Sequence, residues 1–285
     1  MKKVIGIILA SLASILLVCT LTISPIIYGV GAFITEETII SVLQDMDYGQ
    51  ILGTEVNLQE EIGFSEEDVN AIMSTDAAQE IISLYVQDLF LPINGSYKTG
   101  TLTEEKIREI LKEHVEELNP YTIKFFEYYG AGSELEGIDV SEYTVELFAT
   151  YLTLLPTADD LGLTDANTLA SIQIFKSGMV VIPFVVVAAI LSIIVFVCRL
   201  ANLKGMLWLA IDYVLAGLAC FGVANAIKSV PSADATLTSF APALAVFANS
   251  IQIGSLIVLG LAVVFGAGYF IIKKVKSNKQ AEVTM

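Results

Sequence analysis

Four long apolar segments divide this chain and determine its predicted architecture. They cover residues 1–33, where the apolar run begins at Val4, and residues 178–198, 206–227 and 242–272. A helix of about 20 apolar residues crosses the hydrocarbon core of a bilayer, and an irregular chain would leave its backbone polar groups unpaired there. The pattern therefore predicts four transmembrane helices, the last three forming one membrane region over residues 178–272.

The first segment begins like a secretory signal, because Lys2 and Lys3 precede its apolar run. The run is about twice as long as the apolar part of such a signal, and it has no small-residue cleavage site near its middle. Cys19 would suit a lipoprotein signal only after a small residue, and Val18 is bulky. We therefore expect an uncleaved N-terminal anchor, with removal of the segment as the alternative.

Basic residues concentrate at one set of helix ends, and this bias predicts the orientation. If the N terminus is cytoplasmic, the cytoplasmic pieces contain eight basic residues and one acid, Glu282. The positive-inside rule then places both termini in the cytoplasm, with the basic tail 273–285 against anionic headgroups. The eight basic residues are Lys2, Lys3, Arg199, Lys204, Lys273, Lys274, Lys276 and Lys279.

Residues 34–177 lie between the first two spans and are long enough for one compact extracytoplasmic domain. They include 28 of the 31 acidic residues and six of the 15 basic ones, a formal charge of −22. This charge excludes nucleic acid and attracts cations or basic peptides; the alternative is a solvated, self-repelling surface. The domain has no cysteine, so its hydrophobic core must hold it together.

The domain shows the spacing of amphipathic helices rather than the alternation of strands. An apolar stripe predicts one helix over Glu104–Leu118, ended by Asn119-Pro120, and we expect the domain's last helix to continue into the second span. Pro156–Gly162 reads as a flexible joint. Small polar residues before acidic turns predict helix starts at Thr35, Ser65, Thr103, Ser141 and Thr164. The fold class is an all-α integral membrane protein.

Seven aromatic residues of the domain lie within a short stretch of sequence. Helical domains of this size need large buried side chains, so we predict that the group is core, with a ligand-binding lining as the alternative. The group consists of Phe125, Phe126, Tyr128, Tyr129, Tyr143, Phe148 and Tyr151.

No catalytic signature is present in the sequence, and we predict no catalytic residue, cofactor or metal site. The sole histidine, His114, lies on a charged helix and is expected to be a surface residue, because a metal or triad site needs several converging groups. Asp45 and Asp47 resemble the start of a calcium loop, but Gln50 and Val56 stand where that loop needs Gly and Glu.

Asp212 is the one carboxylate or amine side chain inside the four apolar runs. A charge at the bilayer centre costs roughly 2.5–3.5 kcal/mol on insertion scales, and such residues face a partner or a water path. Arg199 lies across the short turn Leu200–Gly205 and is the candidate partner. Snorkelling or protonation of Asp212, or an ion or proton path, are the alternatives.

Small residues repeat every four positions in two of the spans, a spacing that lets helix backbones approach closely in lipid. We predict packing within the bundle, with dimerisation as the alternative. The residues are Gly6, Ala10 and Ser14 in the first span, and two pairs in the fourth, Ser250 with Gly254 and Ala262 with Gly266.

These observations predict a non-enzymatic multi-pass protein of the plasma membrane, and the cysteine-free domain fits a bacterial surface. Its outer domain is expected to bind a protein, peptide or envelope component. The alternative is a channel or transporter component that uses Asp212 with Asn225, Asn249 and Gln252. The layout resembles that of claudin-type and tetraspanin-type proteins, but their outer cysteine and tryptophan motifs are missing, so no residue role is carried over.

Overall fold

The computed structural model describes residues 2–55, 58–61, 63–96, 100–131, 138–199, 204–233 and 235–283. It is helical throughout, with no strand among these residues. The helices are α1 Lys2–Phe33, α2 Glu36–Gln44, α3 Tyr48–Glu55, α4 Leu58–Glu61, α5 Glu66–Met73, α6 Asp76–Ile93, α7 Glu104–Glu113, α8 Val115–Tyr128, α9 Ser141–Leu152, α10 Ala166–Lys176, α11 Val181–Cys198, α12 Lys204–Ala233 and α13 Ala241–Val283, with a 3-10 helix at Ala235–Phe240.

The chain forms two compact units. The membrane-helix unit consists of Met1–Phe33, Ile174–Ser229 and Leu244–Met285. The acidic unit consists of Ile34–Gln173 and Val230–Ala243.

Four helices of the membrane-helix unit are long and apolar enough to cross a membrane. The qualifying stretches are Gly6–Phe33, Val181–Cys198, Lys204–Pro231 and Ala241–Lys276. Large apolar side chains on these helices are exposed, among them Ile7, Ile193, Val263 and Phe270. A water-soluble protein rarely leaves such continuous apolar faces uncovered, so these faces match a lipid environment.

Close backbone approach holds this helix bundle together. A Cβ placed on Gly254 of α13 would lie 2.7 Å from the Cβ of Pro25 in α1, so only glycine permits this contact. The Ser255 hydroxyl donates to the Gly217 carbonyl of α12 at 2.7 Å, and Ser192 of α11 lies 3.1 Å from the Tyr213 hydroxyl. The buried core comprises Ala13, Leu17, Leu21, Ala188, Val195, Leu209, Tyr213, Ala216, Val258 and Ala262.

In the acidic unit, three of the predicted helix starts are confirmed by their caps. The hydroxyls of Thr35 and Thr103 accept from the backbone N–H three residues on. Ser65 and Asp68 form a reciprocal capping box. The other two starts differ: Ser141 is itself the first residue of α9 without a side-chain cap, and the Asp165 carboxylate, not Thr164, accepts from the N–H groups of Asn167 and Thr168.

The helix predicted over Glu104–Leu118 is interrupted at His114, and the predicted stop at Pro120 is wrong. His114 ends α7 with φ −113° and ψ 17°, and α8 then passes through Pro120. Proline removes one helical hydrogen bond, but Leu118 and Thr122 on either side of it are buried. The packing of these two residues holds the helix across the proline, whose own position is exposed.

The last helix of the acidic sequence does not continue into the second span. α10 ends at Lys176, and Gly178 has φ +68°, a conformation that favours glycine. Farther along, α13 continues through the tail to Val283. The predicted inner turn lies mostly outside the described residues, at 200–203, as does Val56 of the calcium-like loop.

The aromatic group is only partly buried, so the core prediction is wrong for four of its members, including Tyr128 at 44% exposure. Tyr129, Tyr143 and Tyr151 are more than half exposed. Phe125 instead packs against the small cluster around Leu58, Phe64 and Val69, while the larger core is aliphatic. That core consists of Ala77, Ile81, Ile107, Ile110, Leu111, Leu118, Val145 and Ala149.

Candidate functional site

A groove of about 750 Å³ opens on the acidic unit between the end of α6, the start of α7 and the segment that follows α9. Its apolar residues are Leu89, Leu91, Pro92, Leu102, Ile107, Leu152, Leu155, Pro156 and Ala158. Its polar residues are Tyr85, Asp88, Ser96, Gly100, Thr103, Glu104, Thr153, Thr157, Asp159 and Thr164. An apolar concavity with a few polar groups is the usual form of a binding site.

Asp88 shapes one wall of the groove. Its carboxylate accepts from the backbone N–H groups of Thr101 and Leu102, both at 2.7 Å, and from the Thr101 hydroxyl. These bonds fix the start of the α7 segment on α6. Gly100 passes so close that a Cβ there would lie 2.5 Å from Asp88 Oδ2, so this wall requires a glycine.

The opposite wall is the segment predicted as a flexible joint. The Tyr85 hydroxyl donates to the Pro156 carbonyl at 2.7 Å. Burial and then the charge of Asp160 raise the pKa of Tyr85, so the phenol remains a donor. Thr157 and Asp160 bond each other through side chain and backbone, and these hydrogen bonds, foremost that to the Thr157 side chain, lower the pKa of Asp160.

The groove carries negative charge that no basic side chain in the described part of its lining offsets. The donors that the described residues offer to Asp88 and Asp159 are neutral, and Asp159 accepts from the Thr164 hydroxyl at 2.5 Å. Glu104 pairs with Arg108 of α7, which also binds Glu146 at 3.0 Å. Among the described residues, the groove therefore combines an apolar floor with two carboxylates that no basic side chain pairs.

Sequence reasoning missed this groove because its walls come from segments about sixty residues apart. Thr103 gave a cap signal and Pro156–Gly162 a turn signal. Neither signal indicates that the two segments face each other across α6. Only the covariation of homologous sequences could have found this pairing before a structure.

The intramembrane acid Asp212 lies on α12 in the core of the bundle and is 3% exposed. Its carboxyl faces Ser14 of α1. The two groups are close enough to interact, but within the described residues neither Asp212 Oδ2 nor the Ser14 hydroxyl makes a hydrogen bond of normal geometry. Buried polar groups are nearly always paired, so this spot is an unsatisfied polar pocket in an apolar core.

Arg199 does not form an ion pair with Asp212 among the described residues. Its guanidinium carbon lies 3.9 Å from the centroid of the Trp208 ring, a cation–π contact. Arg199 is near enough to attract the carboxylate electrostatically, and the specific pair stays a prediction.

The small residues predicted at helix contacts have different surroundings. Ala10 and Ala262 are buried in the bundle, and Gly254 touches Pro25. A Cβ placed on Gly266 would lie 3.9 Å from the Cβ of Ala210, whereas a Cβ on Gly6 would meet nothing within 4 Å.

Polar residues of the last two spans also meet. Lys228 Nζ donates to Gln252 Oε1 at 2.8 Å, and Gln252 Nε2 donates to Asn225 Oδ1 at 3.0 Å. These bonds link α12 to α13. Asn225 and Gln252 are thereby brought together, and the polar path of the sequence hypothesis stays a prediction.

His114 is only part-exposed and lies among carboxylates that the sequence analysis did not associate with it. Its Nδ1 is 3.1 Å from Glu117 Oε1, and its Nε2 is 4.0 Å from Glu80 Oε2. Asp76 and Glu113 complete two overlapping sets of possible ligands around the ring. The spacing of Glu113, His114 and Glu117 is visible in the sequence, but the approach of α6 is not.

Comparison of the chain with protein-family models, with curated proteins and with solved structures finds no match in any of the three. The function proposed below therefore depends on the geometry of the groove and of the bundle core.

Proposed function

We propose that this chain is a non-enzymatic multi-pass membrane protein whose acidic unit binds a basic amphipathic segment of a partner protein or peptide. The single observation that carries the proposal is the groove with its apolar floor and uncompensated carboxylates. An apolar face on the ligand would cover residues such as Leu155, and Lys or Arg side chains would meet Asp88 and Asp159. Charge complementarity of this kind supplies specificity and fast association.

The formal charge of −22 over residues 34–177 supports the choice of a basic ligand. A field of one sign attracts oppositely charged ligands before contact. It disfavours acidic partners and anionic lipid surfaces for the same reason.

We also propose that both termini are cytoplasmic and that the acidic unit lies outside, in the plasma membrane of a bacterium. The eight basic residues at the proposed inner ends support this orientation. The lack of cysteine in residues 34–177 supports a surface domain that folds without disulfides.

The binding proposal is tested with the detergent-solubilised full chain and a fluorescent Leu- and Lys-rich amphipathic peptide. We expect saturable binding that weakens as salt increases, because exposed charges are screened. Leu155→Ser should weaken the affinity about tenfold, the loss of roughly one to two kcal/mol of apolar burial. A Leu- and Glu-rich peptide should not bind.

The adjacent Leu154 provides a matched control. It is 75% exposed and does not line the groove, so Leu154→Ser should leave the affinity unchanged. Asp159→Asn should lower both the affinity and its salt dependence, whereas Glu105→Gln on the exposed surface should not. Equal effects of Leu155→Ser and Leu154→Ser would show that binding is not in the groove.

The orientation is tested by cysteine labelling of intact cells. In a chain without Cys19, Cys198 and Cys220, an impermeant maleimide should label Leu154→Cys directly. It should label Lys276→Cys only after the membrane is opened. The reverse pattern would contradict the proposed orientation.

A second candidate function, a channel or transporter component, is supported by the unsatisfied polar atoms of Asp212 and Ser14. Unpartnered carboxyls inside membranes accompany ion and proton pathways. Proton or cation flux through reconstituted liposomes should then be present in the native chain and lost in Asp212→Asn. Liposomes that pass nothing would remove this candidate.

A further inference from the structure

We infer that His114, Asp76 and Glu117 form a binding site for a divalent transition metal ion of the zinc class, supported by Glu80 on the far side of the imidazole. The site lies in the acidic unit and shares no residue with the groove lining. It is independent of the function proposed above.

The break between α7 and α8 creates the site. His114 is the residue between the two helices, and its side chain turns toward the first turns of α6, where Asp76 and Glu80 lie. The side chain is 25% exposed, so the ring is held but reachable. The ligand atoms of Asp76, His114 and Glu117 all lie within 4.8 Å of one another.

These distances suit one metal ion. Zinc binds histidine nitrogen and carboxylate oxygen at about 2.0–2.2 Å, so neighbouring ligands in a tetrahedral site lie roughly 3.3–3.5 Å apart. The separation of 3.1 Å between His114 Nδ1 and Glu117 Oε1 is already close to this value. Rotation of the exposed Asp76 side chain supplies the third ligand, and water supplies the fourth.

Glu117 is held in a fixed position for this role. Its Oε2 atom accepts from the Asp76 backbone N–H at 3.0 Å, which leaves Oε1 directed at the imidazole. The positive end of the α6 dipole, about half a charge, opposes a cation here. The four carboxylates of Asp76, Glu80, Glu113 and Glu117 outweigh it.

The other ring nitrogen also has a carboxylate. His114 Nε2 lies 4.0 Å from Glu80 Oε2, and metal-binding histidines usually donate their second N–H to such a group, which fixes the tautomer. An ordinary surface ion pair would need a carboxylate at only one of the two ring nitrogens, whereas His114 has one at each. A nitrogen ligand with two carboxylates favours zinc over Mg²⁺ or Ca²⁺, which prefer oxygen ligands.

The test is titration of the metal-stripped full chain in detergent with Zn²⁺ by calorimetry, in the presence of excess Mg²⁺. We expect one saturable site and a rise in unfolding temperature on binding. His114→Ala and Glu117→Gln should each abolish that site. Glu80→Gln should keep the stoichiometry and weaken the affinity about 10–100-fold.

Glu105→Gln, an exposed carboxylate elsewhere on α7, is the matched control and should bind as the native chain does. The unfolding temperature without metal identifies variants that fail to fold, and His114→Gln then replaces His114→Ala. Equal Zn²⁺ affinity in the native chain and in a folded His114 variant would overturn the proposal. Displacement of the bound Zn²⁺ by Mg²⁺ would overturn it too, because both results indicate unspecific binding by acids.

Discussion

At the scale of single residues, Asp212 has the least favourable surroundings in the bundle. Its Oδ2 atom and the Ser14 hydroxyl are buried without partners among the described residues, whereas Ser192 nearby bonds both the Ala188 carbonyl and the Tyr213 hydroxyl. An unsatisfied buried polar group costs stability. A buried carboxyl that its neighbours Ser14 and Arg199 do not fully satisfy points to a role other than packing.

Asp212→Leu should therefore raise the unfolding temperature of the detergent-solubilised chain. Replacement of buried charged groups by apolar residues of similar volume is often neutral or stabilising, by about 1–4 kcal/mol. Ser192→Ala is the control and should lower the unfolding temperature, because it removes satisfied bonds. A marked loss of stability in Asp212→Leu would mean that Asp212 has a structural partner, with Arg199 the first candidate.

At the scale of helices, features set by residues adjacent in sequence could be predicted. Features set by packing between elements could not. The caps at Thr35, Ser65 and Thr103 were found because cap and helix are adjacent in sequence. The passage of α8 through Pro120 was missed because packing of Leu118 and Thr122 decides it. The four long apolar helices were predictable because the length and composition of each segment determine them.

The Ser65 capping box gives a prediction that depends on pH. Burial opposes ionisation of Asp68, but hydrogen bonds from Lys124 and Ser65 outweigh it and lower the pKa. The stabilisation is therefore present above the ordinary pKa near 3.9 and is lost as pH falls below about 4. Asp68→Asn should lower stability by about 0.5–2 kcal/mol at pH 7 and by less at low pH, measured by thermal unfolding.

Glu67→Gln is the control for this substitution, since Glu67 is exposed in the same first turn. It removes the same charge without touching the cap. If both variants lose the same stability, general charge near the helix end is responsible and the capping box is not.

The contact between α1 and α13 gives a second prediction at this scale. Gly254→Ala would place a Cβ 2.7 Å from Pro25, whereas Gly260→Ala on the same helix would meet nothing within 4 Å. Overpacking typically costs about 1–3 kcal/mol. Gly254→Ala should lower the unfolding temperature in detergent and Gly260→Ala should not. Similar behaviour of the two would argue against a close contact at Gly254.

At the scale of the whole molecule, charge and apolar surface are segregated along the sequence. Residues 34–177 carry a formal charge of −22, which the rest of the chain reduces to a net −16, while the exposed apolar side chains concentrate on the membrane-helix unit. The composition of the sequence segments alone predicts this separation of charged from apolar regions. It did not show the groove or the cluster at His114, because both depend on which helices of the acidic unit lie side by side.

Self-repulsion within the acidic unit should make its stability depend on salt. Like charges destabilise a compact state, and monovalent salt screens exposed charges beyond about 10 Å at 0.1 M. Unfolding temperature in the presence of a chelator should therefore rise as NaCl increases. A fall would mean that the ion pairs of Arg108 and Lys124 outweigh the repulsion.

The position of the three cysteines, all in the membrane-helix unit, has a consequence for biogenesis. Residues 34–177 contain no thiol, so folding of the acidic unit needs neither an oxidant nor a disulfide isomerase. Its maturation should proceed equally well in aerobic and anaerobic cells, and growth with a membrane-permeant reductant should leave its yield and protease resistance unaltered.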